Sequence, residues 1–432
     1  MRTFIIVWLG QAGSIIGSEM TAFAFTIWVW ELTGQATALA LFGLFVQVPQ
    51  ILIIPIAGVV VDRFHRKYLM IAGDTVSGLC TITILVLYVN NNLQLWHLYV
   101  AVAIVNTFAP FQKLAFSAST SVLVPKQHYS RVSSLNFISN SSSYIIAPAL
   151  AGVLYPEIGL IGILIIDIAT FVLAVTTVLL VHIPQPSITE VHTQSRTSFK
   201  QDLVFGWHYI TKSPSLFAML ILASLYSFVM SLLNSLYTPM ILARTGDDTR
   251  VIGTVSSASG LGGIIGASLI GIWGGPKRRI HGWLMSMAGT GLSETVFSLG
   301  TTPLIWISAQ FCSSLNYPLL GISSDAIWLA KIRPEILGRI FATRSVVMLV
   351  TSTVATLIAG SLADYVFEPA MMPEGSLAPI LGWMVGTGRG AGMALLYVIS
   401  SLGLLLLGLG GYLFRTLRNV EIIVPDHDAS TK

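Results

Sequence analysis

The chain has 432 residues, 54% hydrophobic and 10% charged, with a mean hydropathy of +0.78. A soluble domain carries about 25% charged residues, so this composition excludes a fold that covers itself in water-facing charge. The net charge of +4 comes from bases placed in loops between apolar runs, a topology signal and not a nucleic-acid surface.

A membrane helix needs about 20 apolar residues. Apolar stretches of that length run over 4–30, 38–61, 69–90, 97–123, 133–156 and 159–182. Six more run over 214–241, 251–273, 281–300, 303–330, 336–364 and 390–414. The first is too long for a signal-peptide core and lacks a small-residue cleavage site, so it reads as a retained spanning helix. These stretches predict an all-α integral membrane protein of twelve transmembrane helices. The expected units are a six-helix bundle at 1–183, a cytoplasmic linker at 184–213, a second bundle at 214–418 and a cytoplasmic tail at 419–432. In the linker, Phe199, Leu203, Trp207 and Ile210 recur at helical spacing. That pattern reads as an amphipathic helix on the membrane surface, or as an ordinary linker helix. The segment 367–388, with Pro369, Pro373 and Pro379, is too broken for a spanning helix and reads as an outside loop lying partly on the surface.

With the N-terminus in the cytoplasm, loops on that side hold 17 Lys and Arg against 3 outside. The asymmetry puts both termini inside. Cys80 and Cys312 stand in apolar stretches without zinc or disulfide spacing. No Walker motif occurs, and Gly386-x-Gly388-x-x-Ala391 lacks the strand and acid that a dinucleotide site needs. No cofactor, no metal and no enzymatic reaction are expected, and the chain reads as a monomer.

The densest charged motif is Gly58-x-x-x-Asp62-Arg63-x-x-Arg66-Lys67, between two spans. It resembles the loop between helices 2 and 3 of major facilitator transporters. Basic Lys277-Arg278-Arg279 stands at the corresponding place in the second half, as a six-plus-six duplication requires. Gly13-Ser14-Ile15-Ile16-Gly17-Ser18, Ala147-Pro148-Ala149-Leu150-Ala151-Gly152 and Gly338-Arg339 carry a closer likeness. It is to the drug and siderophore exporter branch, which includes macrolide efflux proteins and the enterobactin exporter. The branch motif on helix 5 has Gly where Ala147 stands, and the loop motif has Gly where His65 stands.

The resemblance implies two six-helix bundles in the major facilitator fold, rocking about a midplane site. It implies a cytoplasmic latch in which Asp62 meets the N-terminus of helix 11 near Gly338, with Arg63 and Arg66 pairing to acids. A carboxylate there suits the helix dipole and its unpaired N–H groups. Lys67, Asp74, Arg339 and Arg344 belong to the same cytoplasmic network, although bases alone also set topology. Pro148 and Gly152 mark either the exporter motif or plain small-residue packing.

Ionisable groups inside spans point to function. Glu19, Lys113, Asp167, Glu294 and Asp325 are such groups. Helices 1, 4, 7 and 10 line the cavity in this fold, which selects Glu19, Lys113 and Asp325 for solute or proton handling. Glu19 carries a proton or is hydrogen-bonded in a helix interface. Asp325 does likewise or pairs with Lys331 or Arg344. The implied activity is export of a hydrophobic or amphipathic small molecule, coupled to protons, across a bacterial inner (plasma) membrane. A uniporter or importer, or a scramblase or receptor on the same fold, is the alternative.

Overall fold

A computed structural model of the chain describes residues 2–123, 129–181 and 199–426. At some positions the description covers backbone alone, Gly58, Asp62 and Arg63 among them. Lys126, most of the expected linker and the end of the tail lie outside the described residues.

All regular structure among these residues is helical. The helices are α1 (Arg2–Thr33), α2 (Ala36–Arg63), α3 (Arg66–Val89), α4 (Leu95–Leu123), α5 (Tyr129–Leu180), α6 (Phe199–Lys212), α7 (Pro214–Thr245) and α8 (Thr249–Trp273). There follow α9 (Arg279–Leu299), α10 (Pro303–Lys331), α11 (Pro334–Leu362), α12 (Glu368–Met371), α13 (Ala378–Val385), α14 (Ala391–Gly410), α15 (Arg415–Arg418) and α16 (Val420–Ile423). Lipid cannot hydrogen-bond a backbone, so helices that close their own ladders are the expected solution. Nine are long and apolar enough to cross a membrane among the described residues. Helices α9 and α10 are not among the nine, although both reach spanning length. Their polar residues explain this: Ser286, Thr290, Glu294 and Ser298 on α9, and Gln310, Ser313, Ser314, Ser323 and Ser324 on α10, all buried.

Helix α5 is two arms broken at Gly159, whose φ of 62° and ψ of −171° leave the helical region. A side chain is strained there, so glycine makes the reversal feasible. This break separates the stretches predicted at 133–156 and 159–182.

Two compact units appear: Met1–Thr193 with Asp248–Ser257, and Gln194–Asp247 with Ala258–Lys432. In the first, Gly10 and Gly17 of α1 lie against Thr177 and Thr170 on the second arm of α5. The first arm lies along the start of α8: Thr249 Oγ1 donates to the Gly152 carbonyl at 3.2 Å and Ser257 Oγ to that of Ile145 at 3.0 Å. Gly152 and Gly253 face each other there. Small residues let helix backbones approach where lipid supplies no hydrophobic drive.

In the second unit, α6 packs along α11. Its Gly206 lies on Thr343, and Arg339 stacks over the Phe205 ring at 5.3 Å. Val204, Phe205 and Trp207 stay exposed, as an amphipathic surface helix requires. The chain after α14 folds back instead of trailing as a tail. Leu417 and Val420 are buried with Ile210, Ile280, Trp283 and Ile332. Glu421 accepts the N–H groups of Arg279 and Ile280 at 3.3 and 3.2 Å, capping α9. Lys331 Nζ pairs with Asp426 at 2.7 Å and donates to the Glu421 carbonyl at 2.7 Å. In the broken segment, Glu368 accepts from the N–H groups of Gly390 and Met393, an acid at the start of α14.

A β-carbon on Gly253 stands 2.7 Å from the Pro148 carbonyl oxygen, and one on Gly152 stands 2.8 Å from that of Thr249. Both neighbours are backbone and cannot swing aside. Gly253→Ala is expected to cost about 1–3 kcal/mol and to lower the thermal unfolding midpoint in detergent. Gly263→Ala, in open space on the same helix, is the control and keeps the parent midpoint. Equal midpoints for the two variants contradict a tight α5–α8 seam.

Candidate functional site

The first unit encloses a cavity of about 490 Å³ walled by α1, α2, α3, α4 and the second arm of α5. Phe25, Phe42, Val46 and Ile84 give it an apolar side. Gln11, Gln50, Asn106 and Gln112 give it a carboxamide side, and Glu19, Asp74 and Asp167 bring three carboxyls to the wall. Among the described residues no Lys, Arg or His lines it.

The carboxamides are chained. Gln112 Nε2 donates to Gln11 Oε1, and Gln11 Nε2 donates to Asp74 Oδ2 at 2.8 Å. Gln50 donates to Asn106 across α2 and α4. An amide has both donor and acceptor, so it can pass a hydrogen bond along a wall that has no water behind it. Asp167 is 3% exposed and accepts from Thr81 Oγ1 at 2.8 Å and Ser18 Oγ at 3.1 Å. Glu19 differs. It is half-buried on the wall, with no hydrogen bond or ion pair to any described residue. A carboxylate without partner or counter-ion inside a membrane bundle is costly. Such a group can take up a proton or a cation chemically, because either removes its uncompensated charge.

Lys113 and Asp325 are not among the residues that line this first-unit cavity. Lys113, on α4, is exposed and does not line this cavity. Asp325 belongs to the second unit, where Arg344 Nη1 donates to its Oδ1 at 2.8 Å. Arg344 also donates to Ser324 Oγ at 3.0 Å and lies over the Trp328 and Phe341 rings, each at 5.7 Å. Of the two bases proposed for Asp325, Arg344 is the one it pairs with.

Asp74, grouped from sequence with the cytoplasmic charges, sits on the cavity wall. It lies eight residues into α3, roughly 12 Å from the helix start at about 1.5 Å per residue. Among the described residues the flanking bases Arg66 and Lys67 reach backbone carbonyls. Lys67 Nζ donates to the carbonyls of Leu179 and Val181 at 2.9 and 2.8 Å, where α5 ends. Arg66 Nη1 donates to that of Ala118 at 2.8 Å. A helix end leaves four carbonyls unpaired and is favoured by positive charge, so Lys67 suits the end of α5, whereas Ala118 lies inside α4. The contacts expected of Asp62 and Arg63 lie outside the described side chains. Gly338 at the start of α11 is exposed, and a β-carbon built on it meets no atom of another described element within 4 Å. Pro148 and Gly152 both lie on the α5–α8 seam.

Sequence reasoning missed the carboxamide chain. Gln11, Gln50, Asn106 and Gln112 are uncharged, and the signal that finds them is four amide side chains within otherwise apolar spans.

The Major Facilitator Superfamily profile matches residues 7–245. Macrolide efflux protein A of Streptococcus pyogenes is 30% identical over 368 residues, spanning 84% of this chain and 89% of that protein. The Enterococcus faecalis protein of the same name is 30% identical over 301 residues, spanning 68% of this chain and 91% of its own length. Among solved structures, the nucleoside transporter NupG superposes with a TM-score of 0.67 at 11% identity, over 95% of this chain and 98% of that one. An inward-facing bacterial homologue of the human lysosomal transporter Spinster gives 0.66 at 13% identity, over 94% and 96%. At such identity the structures speak for the fold alone. The chain belongs to the Major Facilitator Superfamily.

Cys80 lines the cavity, and Cys312 is exposed on α10 in the other unit. A charged, water-soluble maleimide is therefore expected to label Cys80 in the folded Cys312→Ser protein, and labelling falls to background when Cys80→Ser is added. Cys80 that reacts only after denaturation shows that water does not reach this cavity.

Proposed function

We propose that the chain is a proton-coupled exporter of hydrophobic or amphipathic small molecules, working by alternating access. Membership of the superfamily makes it a transporter of a small solute. The efflux proteins among its relatives support the outward direction. The observation that carries the proton is Glu19, an unpartnered carboxyl on the wall of a cavity that holds no base. Apolar rings on one side and amides and carboxyls on the other suit a solute with a greasy body and a polar, preferably cationic, end. Macrolides are the first solutes to try.

In this reading twelve helices cross a bacterial plasma membrane, with both termini in the cytoplasm. The bundles are 1–183 and 214–418, joined by the linker at 184–213. Protons enter Glu19 from outside and leave inside, while solute moves the other way. Glu19 holds a proton or the solute's positive end, but not both. That exclusion couples the flows, because an occupied carboxylate has lost the charge that attracts the second ligand. Asp325, held by Arg344, serves as the charge pair that opens and closes in the second bundle. Asp62 meets the start of α11 and latches the cytoplasmic side. The small residues about Pro148 and Gly152 form the surface on which α5 and α8 slide.

The test is transport in proteoliposomes with an imposed pH gradient, using a macrolide and dye panel. The parent is expected to drive export with the gradient. Glu19→Gln is expected to abolish gradient-driven movement and to weaken exchange of labelled for unlabelled cationic solute, since the amide, like the protonated acid, carries no charge for the solute's positive end and releases no proton. Full gradient-driven transport in both Glu19→Gln and Asp325→Asn refutes the proton path. Transport indifferent to the gradient in the parent makes the protein a uniporter.

A further inference from the structure

A second carboxyl, remote in sequence from Glu19, is built into the second unit. Glu294 on α9 is 1% exposed. Ser313 Oγ of α10 donates to its Oε1 at 2.5 Å, and the Tyr397 hydroxyl of α14 donates to its Oε2 at 2.6 Å. The Tyr317 hydroxyl also faces it from α10 and that of Tyr226 from α7, with Tyr237 beside the tyrosines. No Lys, Arg or His acts on it. Tyr237, Phe297 and Tyr397 stack at centroid distances of 5.6 and 5.4 Å and fill the space around the carboxyl. The carboxyl is thus buried among packed side chains of the described residues.

The hydroxyls settle which small ligand fits. Ser313 Oγ lies 2.5 Å from Glu294 Oε1 and 3.5 Å from the Tyr317 hydroxyl. A hydroxyl donates once and accepts twice. With Glu294 ionised, Ser313 donates to it. With a proton on Oε1, Ser313 accepts that proton's hydrogen bond and turns its own hydrogen to Tyr317. Adding the proton forms one O–H bond and breaks none, and every hydroxyl keeps a partner in both states. A salt bridge lacks this property, because its cation is stranded once the acid is neutral.

We propose that Glu294, with Ser313, Tyr317 and Tyr397, is a proton-binding site in the second unit. Its part in transport rests on the proton-coupled reading above; the binding of the proton does not. Four helices, α7, α9, α10 and α14, meet at this carboxyl, so its protonation bears on how they pack.

The test is infrared spectroscopy of the full chain in liposomes, titrated from alkaline to acid in water and in heavy water. A carboxyl C=O band should grow with acid and shift with deuterium. It should be lost in Glu294→Gln and retained in Glu19→Gln. Ser313→Ala and Tyr397→Phe keep the carboxyl and should move its frequency, which preserves the test if Glu294→Gln does not fold. Spectra of Glu294→Gln that overlay those of the parent throughout the titration overturn the proposal. So does a band that sodium removes at constant pH, which marks a metal cation site. If the Glu294 band titrates while macrolide transport ignores the pH gradient, the coupling reading fails and the proton site stands.

Discussion

Lipid offers no hydrogen bonds, so each polar group on a membrane helix must find its partner inside its own bundle. That constraint organises both units. In the first, Asp74 is met by Gln11, and Asp167 by Ser18 and Thr81. In the second, Glu294 is met by Ser313 and Tyr397, and Arg244 by the carbonyls of Ser298, Gly300 and Val385. These bonds tie together helices that lipid would otherwise leave with only van der Waals packing between them. The units also use them alike. In the first, a carboxyl on the last helix reaches Thr81 on α3; in the second, a carboxyl on α9 reaches Tyr397 on the last long helix.

The same rule explains what happens at helix ends. Arg66, Lys67 and Arg244 all spend their charge on backbone carbonyls, and Glu421 and Glu368 spend theirs on backbone N–H groups. Apart from Arg66, whose acceptor Ala118 lies inside α4, each placement agrees with the sign of the helix terminus it meets. Short connections between long helices leave many such termini close together. Loop charges therefore close the ends of helices, a task separate from the topology signal read in the sequence. The folded-back segment from Arg415 to Asp426 is one case: Glu421 caps α9 while Leu417 and Val420 bury beside the surface helix α6.

Much of this fold was legible in the residues. Apolar length marked the helices, Gly159 sat at a boundary between two predicted spans, and the spacing of Phe199, Leu203, Trp207 and Ile210 announced α6. The site was legible only in part. Glu19 stood out because charge inside a span is rare. Its neighbours Gln11 and Gln112 did not, because an amide costs less to bury and sequence cannot say which face of a helix it occupies. Asp74 shows the same gap from the other side. Counting residues places it near one end of α3, but only its rotation about the helix axis decides whether it meets loop bases or a cavity. The tyrosines of the second unit carry no such mark in the sequence, yet the Tyr397 hydroxyl donates to Glu294 from a helix about a hundred residues away. Partners of that kind are set by packing between helices far apart in the chain.

Two kinds of carboxyl follow from these surroundings. Asp74 and Asp167 are bonded to amides and hydroxyls at the edge of an open cavity, where their hydrogen bonds fix side chains in place. Glu19 is on the same wall without a bond, so nothing in the protein competes with an arriving ligand for its oxygens. A transporter needs such a contrast. Groups that hold the wall must not let go when the solute enters, and the group that exchanges ligands must not be held. In the proposed reading the bonded carboxyls hold the wall, and Glu19 exchanges ligands. The difference lies in their partners and not in the acids themselves, which is why a chain can place three carboxyls within one cavity and still give a single one of them the freedom to act.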